Sequence, residues 1–144
     1  MRVNRLWMAM LLYIFCIPVA FGASYRFDIS VENLDSLAPC FRFSKPLLAS
    51  PKGTKNRVEL NKFIVVAKGS QGWHYKNPLW AFELSSGSAL EVEQIEYGVV
   101  PSGFKESTKA QRLSTGLPYM AIAFAPGGSG SREFILRGGR DSRK

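Results

Sequence analysis

Arg57-Val58-Glu59-Leu60-Asn61-Lys62-Phe63-Ile64-Val65-Val66-Ala67-Lys68 is the stretch on which the fold turns. Val58, Leu60, Ile64 and Val66 share one side of an extended chain, and Phe63, Val65 and Ala67 make the other side apolar near the end. Side chains alternate across a strand, so a strand apolar on both faces needs cover on both and belongs in the middle of a sheet. The stretch is read as one long central strand.

The flanking segments carry the same period. Tyr25, Phe27, Ile29 and Val31 alternate with Arg26, Asp28 and Ser30, the pattern of a half-buried strand. Cys40 to Phe43 is a short strand stopped by Lys45-Pro46, and Ala49 to Asn56 has the composition of an exposed loop. After a break over Gly69 to Pro78, Trp80, Phe82 and Leu84 share one strand face. From Ala89 to Tyr97, Leu90 and Val92 are followed by Ile95 and Tyr97 on the opposite parity, which predicts a bulge near Glu93-Gln94. Val99 to Phe104 reads as a turn, and the polar run Lys105 to Gly116 as a loop or a helical turn over Thr108 to Leu113.

Tyr119 to Phe124 and Arg132 to Leu136 make a hairpin, with Pro126-Gly127-Gly128-Ser129-Gly130-Ser131 as a flexible connection. No amphipathic helix of ten residues is evident. Seven or eight short strands at this spacing predict an all-β fold. The expected form is an antiparallel β-sandwich, Ig-like in architecture but without the disulfide, with a β-barrel as the second choice.

The N-terminus sets the compartment. Met1-Arg2-Val3-Asn4-Arg5 precedes an apolar run from Leu6 to Val19, broken by Pro18, and Ala20-Phe21-Gly22 places small residues at the −3 and −1 positions of a cut before Ala23. Charged start, short apolar core and small-residue exit are the parts of a secretory signal. The apolar run is shorter than the roughly 20 residues that span a bilayer comfortably. Cys16 follows the bulky Tyr13-Ile14-Phe15, unlike a lipid-attachment cysteine, and leaves with the signal. The expected organisation is a signal peptide over 1–22, a β-sandwich domain over 23–136 and a basic disordered tail over 137–144. The expected location is periplasmic or secreted, with no membrane span after cleavage.

Export leaves Cys40 as the sole cysteine, so no internal disulfide forms and the disulfide-dense secreted scaffolds are excluded. Cys40 is read as a buried small hydrophobe, with a bridge to another chain or a reactive thiol as the alternative. The chain carries +8. Arg2 and Arg5 go with the signal, and Arg137, Arg140, Arg143 and Lys144 less Asp141 put +3 on the last eight residues. The remaining body is modestly basic, which argues against a nucleic-acid partner.

Little chemistry is encoded. His74 is the only histidine, so a His-rich zinc site is impossible within the chain, and no Gly-x-Ser-x-Gly elbow marks a serine for it. Glu91, Glu93 and Glu96 invite a glycosidase reading, but the alternation with Leu90 and Val92 puts Glu91 and Glu93 on a solvent face. The Gly-rich connection lacks the Lys-Ser/Thr and helix of a phosphate loop. No catalytic residue, metal or cofactor is expected. The distinctive stretch is Gln71-Gly72-Trp73-His74-Tyr75-Lys76-Asn77-Pro78-Leu79-Trp80. Aromatics on a loop of a rigid sandwich are usual anchors of a binding surface. Trp73, His74, Tyr75 and Lys76 are the expected partner-binding residues, whereas Trp80 joins a strand face and is read as core.

The signal, Pro39-Cys40-Phe41 after a first strand, Leu79-Trp80-Ala81-Phe82, the turn Tyr97-Gly98-Val99-Val100-Pro101-Ser102-Gly103-Phe104 and the closing Gly-rich hairpin occur together. The arrangement resembles small bacterial periplasmic proteins and lipoproteins of unassigned function, some of which look like immunity proteins against toxins delivered by type VI secretion. This chain departs from the lipoprotein members in lacking a lipid-site cysteine. The resemblance implies an exported, non-enzymatic domain that binds another protein and occludes a toxin or hydrolase. Two alternatives stay open. One is a surface-assembly or fimbrial-type subunit, with Tyr25 to Val31 as a donated strand. The other is a cell-wall or carbohydrate-acting enzyme using His74 or a carboxyl pair.

Overall fold

Asn61 cuts the long apolar stretch in two. In the computed structural model, which describes residues 24–45 and 57–138, the stretch forms β4 (Val58–Leu60) and β5 (Lys62–Gly69) in different sheets. The Asn61 amide donates to the Phe124 carbonyl at 2.8 Å, and its own carbonyl accepts from Leu84 at 2.9 Å. The break shifts the parity. Val58 and Leu60 therefore share the main core with Phe63 and Val65, while Ile64 and Val66 face the opposite way. The expectation that Val58, Leu60, Ile64 and Val66 share a face is corrected accordingly. The two-faced reading of residues 63–66 stands, since Phe63, Val65 and Val66 are fully buried and Ile64 nearly so.

The other strands are β1 (Tyr25–Arg26), β2 (Asp28–Glu32), β3 (Cys40–Ser44), β6 (Gly72–Trp73), β7 (Trp80–Leu84), β8 (Leu90–Val92), β9 (Gln94–Glu96), β10 (Phe104–Thr108), β11 (Pro118–Ala125) and β12 (Gly128–Ile135). No helix forms among the described residues. The large sheet runs β1-β12-β11-β5-β7-β10, with β6 folded back on β5. Facing it are a three-stranded sheet, β2-β3-β9, and a two-stranded one, β4-β8. All pairs are antiparallel except β1 with β12. The result is an open β-sandwich, and the barrel alternative falls because no sheet closes on itself.

Three expected strands are split where the chain changes partner. The first turns at Phe27, from β1 on the large sheet to β2 on the small one. The parity flip near Glu93 is likewise a break, since β8 pairs with β4 and β9 with β3. The polar run after Phe104 is not a helical turn. Its first part is β10, paired with β7, and Thr108 follows a register shift against Ala81. The expected loop over 49–56, the signal over 1–22 and all but the start of the tail lie outside the described residues.

Aromatic rings fill the space between the sheets. Phe63 lies 5.1 Å from Phe41 and 6.2 Å from Phe43 on the facing sheet, and 5.7 Å from Trp80 and 5.5 Å from Phe82 on its own. Trp80 is a core residue, as the sequence indicates, and its indole N–H donates to Glu106 Oε1 at 3.1 Å. Tyrosines tie the loops to this core. Tyr119, at the start of β11, accepts from the Ser114 amide at 2.8 Å and donates to the Ser114 carbonyl at 3.1 Å. That is the arrangement of a tyrosine corner. Tyr97 donates to the Gln111 carbonyl at 2.7 Å.

The Gly-rich connection is mostly strand. Only Pro126-Gly127 turns, with φ +70° at Gly127, and Ala125 pairs directly with Gly128. Gly128 and Gly130 are there for space. A Cβ on Gly130 would sit 2.5 Å from the Phe27 carbonyl oxygen, and one on Gly128 2.7 Å from that of Tyr25. Gly130→Ala should therefore push the first strand off β12 and cost about 1–3 kcal/mol in urea unfolding. Gly138→Ala, where nothing lies within 4 Å, should cost almost nothing.

A second expectation concerns pH. Burial pushes the Tyr97 phenol up from 10 to about 12. The fold thus favours the neutral phenol, and this contribution is intact below pH 10 and lost as pH rises from 10 to 12. Urea midpoints over that window should fall by an amount equivalent to about 1–2 kcal/mol, and Tyr97→Phe should remove that part of the fall.

Candidate functional site

A strand buried on both faces needs a second cover. On the outer side of the large sheet, Ile64, Val66 and Ala81 form a small apolar cluster with half-buried Trp73, Met120 and Ile122. The cover is the 70–79 segment. It turns back at Ser70-Gln71, so that Trp73 pairs with Lys68 and Gly72 with Gly69. The His74 amide then donates to the Ala67 carbonyl at 3.1 Å, and the Leu79 amide to that of Val65 at 2.8 Å. Both ends of the aromatic loop are thus hydrogen-bonded to the central strand.

The four expected binding residues separate into two kinds. Trp73 is half-buried, not exposed: it rests on the outer cluster, and the Lys68 ammonium lies 5.4 Å from its ring centroid. The expectation of a free Trp73 is corrected in that respect, because the two-faced β5 needs its ring. His74 is exposed and lies against Gly69, where a Cβ would overlap the imidazole. Lys76 is exposed, and Tyr75 is 54% exposed. The loop encloses a shallow hollow of about 410 Å³ lined by Gln71 to Asn77.

Tyr75 also borders a second depression, which sequence reading misses. A groove of about 390 Å³ runs along the outer face between Tyr75 and the β1–β12 edge. Met120, Ile122 and Phe124 line it from β11, Ser129 and Ser131 from β12, and Arg26 and Asp28 from the first strand. Phe124 is 38% exposed and Ile135, further along β12, is 50% exposed. The signal for this face is in the sequence, since Met120, Ile122 and Phe124 alternate with Tyr119, Ala121 and Ala123. An almost wholly apolar run, however, does not say which side meets solvent.

Charge divides between the two sides of the sandwich. The outer face of the large sheet presents Arg26, Lys62, Lys68 and Lys105, with Lys76 from the loop, against Glu83 and Glu133. Asp28 adds one acid at the groove's edge. The smaller sheets present Glu32, Glu59, Glu91, Glu93 and Glu96 against Arg42 and Arg57. Arg42 meets Glu32 at 3.0 Å, and Arg57 lies 3.8 Å and 3.9 Å from Glu91 and Glu93. Glu91 and Glu93 are exposed, as the alternation indicates, and share a guanidinium; Glu93 also borders a small hollow of about 150 Å³ with Ser30, Arg42, Phe43 and Ser44.

Cys40 is half-buried rather than buried. Burial pushes its thiol up, with a further rise from Glu32 and Glu96 against a lowering by Arg42. This disfavours the reactive thiolate. Among the described residues no group of three or more His, Cys, Asp or Glu is placed to hold a metal ion, and no helix is long and apolar enough to cross a membrane.

Comparison with protein-family models, with curated proteins and with solved structures finds no match.

The two aromatics of the loop should respond differently to truncation. Trp73→Ala uncovers the outer cluster and should cost about 1–3 kcal/mol in urea unfolding, part of what a fully buried Trp costs. Tyr75→Ala should stay within about 0.5 kcal/mol of wild type, as an exposed side chain does.

Proposed function

We propose that the chain is an exported, non-enzymatic protein-binding domain, acting in the periplasm or after secretion as an immunity or inhibitor protein that occludes a toxin or hydrolase. The observation that carries this reading is the outer face of the large sheet. It combines exposed Tyr75 and Phe124 with half-buried Met120 and Ile122 around a concave groove, the last three on the paired strand β11 and Tyr75 on a loop whose two ends are hydrogen-bonded to β5. A rigid, partly apolar hollow rimmed by aromatic and basic side chains is the kind of surface on which a few anchors carry most of the binding energy.

The donated-strand alternative has less support. Tyr25 to Glu32 is already paired within its own chain, with β12 over β1 and with β3 over β2. Freeing it would open the core at Phe27 and Ile29.

The test is affinity capture of the natural partner from the native host, with mass spectrometry of what co-purifies. One stoichiometric partner, retained by wild type and by Glu59→Gln on the opposite face, is expected. Tyr75→Ala should weaken that complex by about 30-fold, the scale of a hot-spot residue. Undiminished affinity in both Tyr75→Ala and Phe124→Ser would remove the binding face from this surface.

A further inference from the structure

Resting on that binding reading, we propose a chemistry for the partner: the groove receives an extended acidic segment of another protein, with an apolar side chain seated on Met120, Ile122 and Phe124 and carboxylates flanking it. The groove dictates both halves. Its floor is apolar on β11, so an apolar knob gains by leaving water there. Its surroundings are basic: Arg26 stands at one rim, Lys68 at the end of β5 and Lys76 in the loop lie on the side of Tyr75, and Lys62 lies beside Phe124 on the neighbouring strand. Ser129 and Ser131 offer hydroxyls along the wall. The acids on this face are fewer: Asp28 lines the groove beside Arg26, Glu133 stands across from Met120, and Glu83 stands directly across from both Lys62 and Lys105. The opposite side of the sandwich has the reverse sign, so the positive character belongs to this surface. Charges so placed steer an acidic partner and reject a basic one.

Other occupants fit less well. Two copies meeting groove to groove would oppose basic faces. A head-to-tail contact would bring up the acidic face, whose exposed large apolar side chains are Leu90 at the end of β8 and Leu37 and Val99 in adjoining loops, none of them in the outward carboxylate rows of β2, β3, β4, β8 and β9. An anionic membrane matches the charge but not the shape. Membrane-bound faces insert protruding apolar side chains, whereas Met120 and Ile122 are half-buried within a hollow.

The experiment uses the protein as the expressing cell processes it and three synthetic peptides of twelve residues. One alternates Glu with Leu and Phe, the second replaces Glu by Lys, and the third keeps Glu but replaces Leu and Phe by Ser. Binding is followed by amide chemical shifts and by the emission of half-buried Trp73. The acidic apolar peptide should bind at least about tenfold more tightly than either of the others, and should shift amides of β11, β12 and the 71–77 loop but not those of β3 and β9. The preference should shrink when salt is raised from 0.05 to 0.5 M, because exposed charges are screened over that range. Lys68→Glu with Lys76→Glu should weaken this peptide by about tenfold, and Arg42→Glu should not.

Tighter binding of the lysine peptide to the same amides overturns the acidic chemistry and leaves the binding face standing. Shifts on another face, or none with any peptide or with phosphatidylglycerol vesicles, overturn the proposal together with the placement of the binding face. Binding to phosphatidylglycerol vesicles through these amides, with no peptide binding, replaces the protein partner by a membrane.

Discussion

Phe63 is the contact on which the sandwich depends. With one cysteine in the described domain, nothing covalent joins the sheets, and the join is made by rings. Phe63 touches Phe41 and Phe43 across the interface and Trp80 and Phe82 beside it, and Trp80 passes the contact on to Tyr97 at 5.1 Å. Tilted and edge-on pairs at these separations add to what area burial supplies. Trp80 can join them because Glu106 accepts its indole proton, so the largest ring in the core leaves no polar atom stranded.

Placing Phe63 and Val65 inward forces Ile64 and Val66 outward on the same strand. Those two side chains need cover, and the chain provides it within ten residues by folding Trp73 back over them. The cover is incomplete. It shields Val66 fully and stops at Tyr75, so the apolar row continues along Met120, Ile122 and Phe124 with only partial burial. The candidate site is thus the uncovered remainder of a face that the central strand had to make apolar. Loop and groove form one surface because both answer the same requirement.

Close approach of backbones sets the other margin of that surface. The first strand lies on β12 only where Gly128 and Gly130 leave room for Tyr25 and Phe27. Having paired there, the chain turns at Phe27 and joins the other sheet, so one short segment laces the two layers together. The same contact brings Arg26 and Asp28 to the groove's rim.

Period-two alternation was enough to fix the all-β character, most strand positions, the burial of Phe27, Ile29, Phe41, Phe43, Trp80 and Phe82, and the solvent position of Glu91 and Glu93. These are local properties, written in the order of apolar and polar side chains. The aromatic loop stood out by composition, and its role as a surface element was legible from its glycine and lysine neighbours. Partner exchange was not legible. The breaks at Phe27, Asn61 and Glu93 come from which strand lies alongside, and the same alternating pattern suits an unbroken strand equally well. Nor could the sequence assign Gly128 and Gly130 to a strand, because their reason is the distant Tyr25 and Phe27. The groove required tertiary structure for the same cause. Tyr75, Phe124 and Arg26 are far apart in the chain, and only the pairing of β1, β12, β11 and β5 side by side brings them to one face.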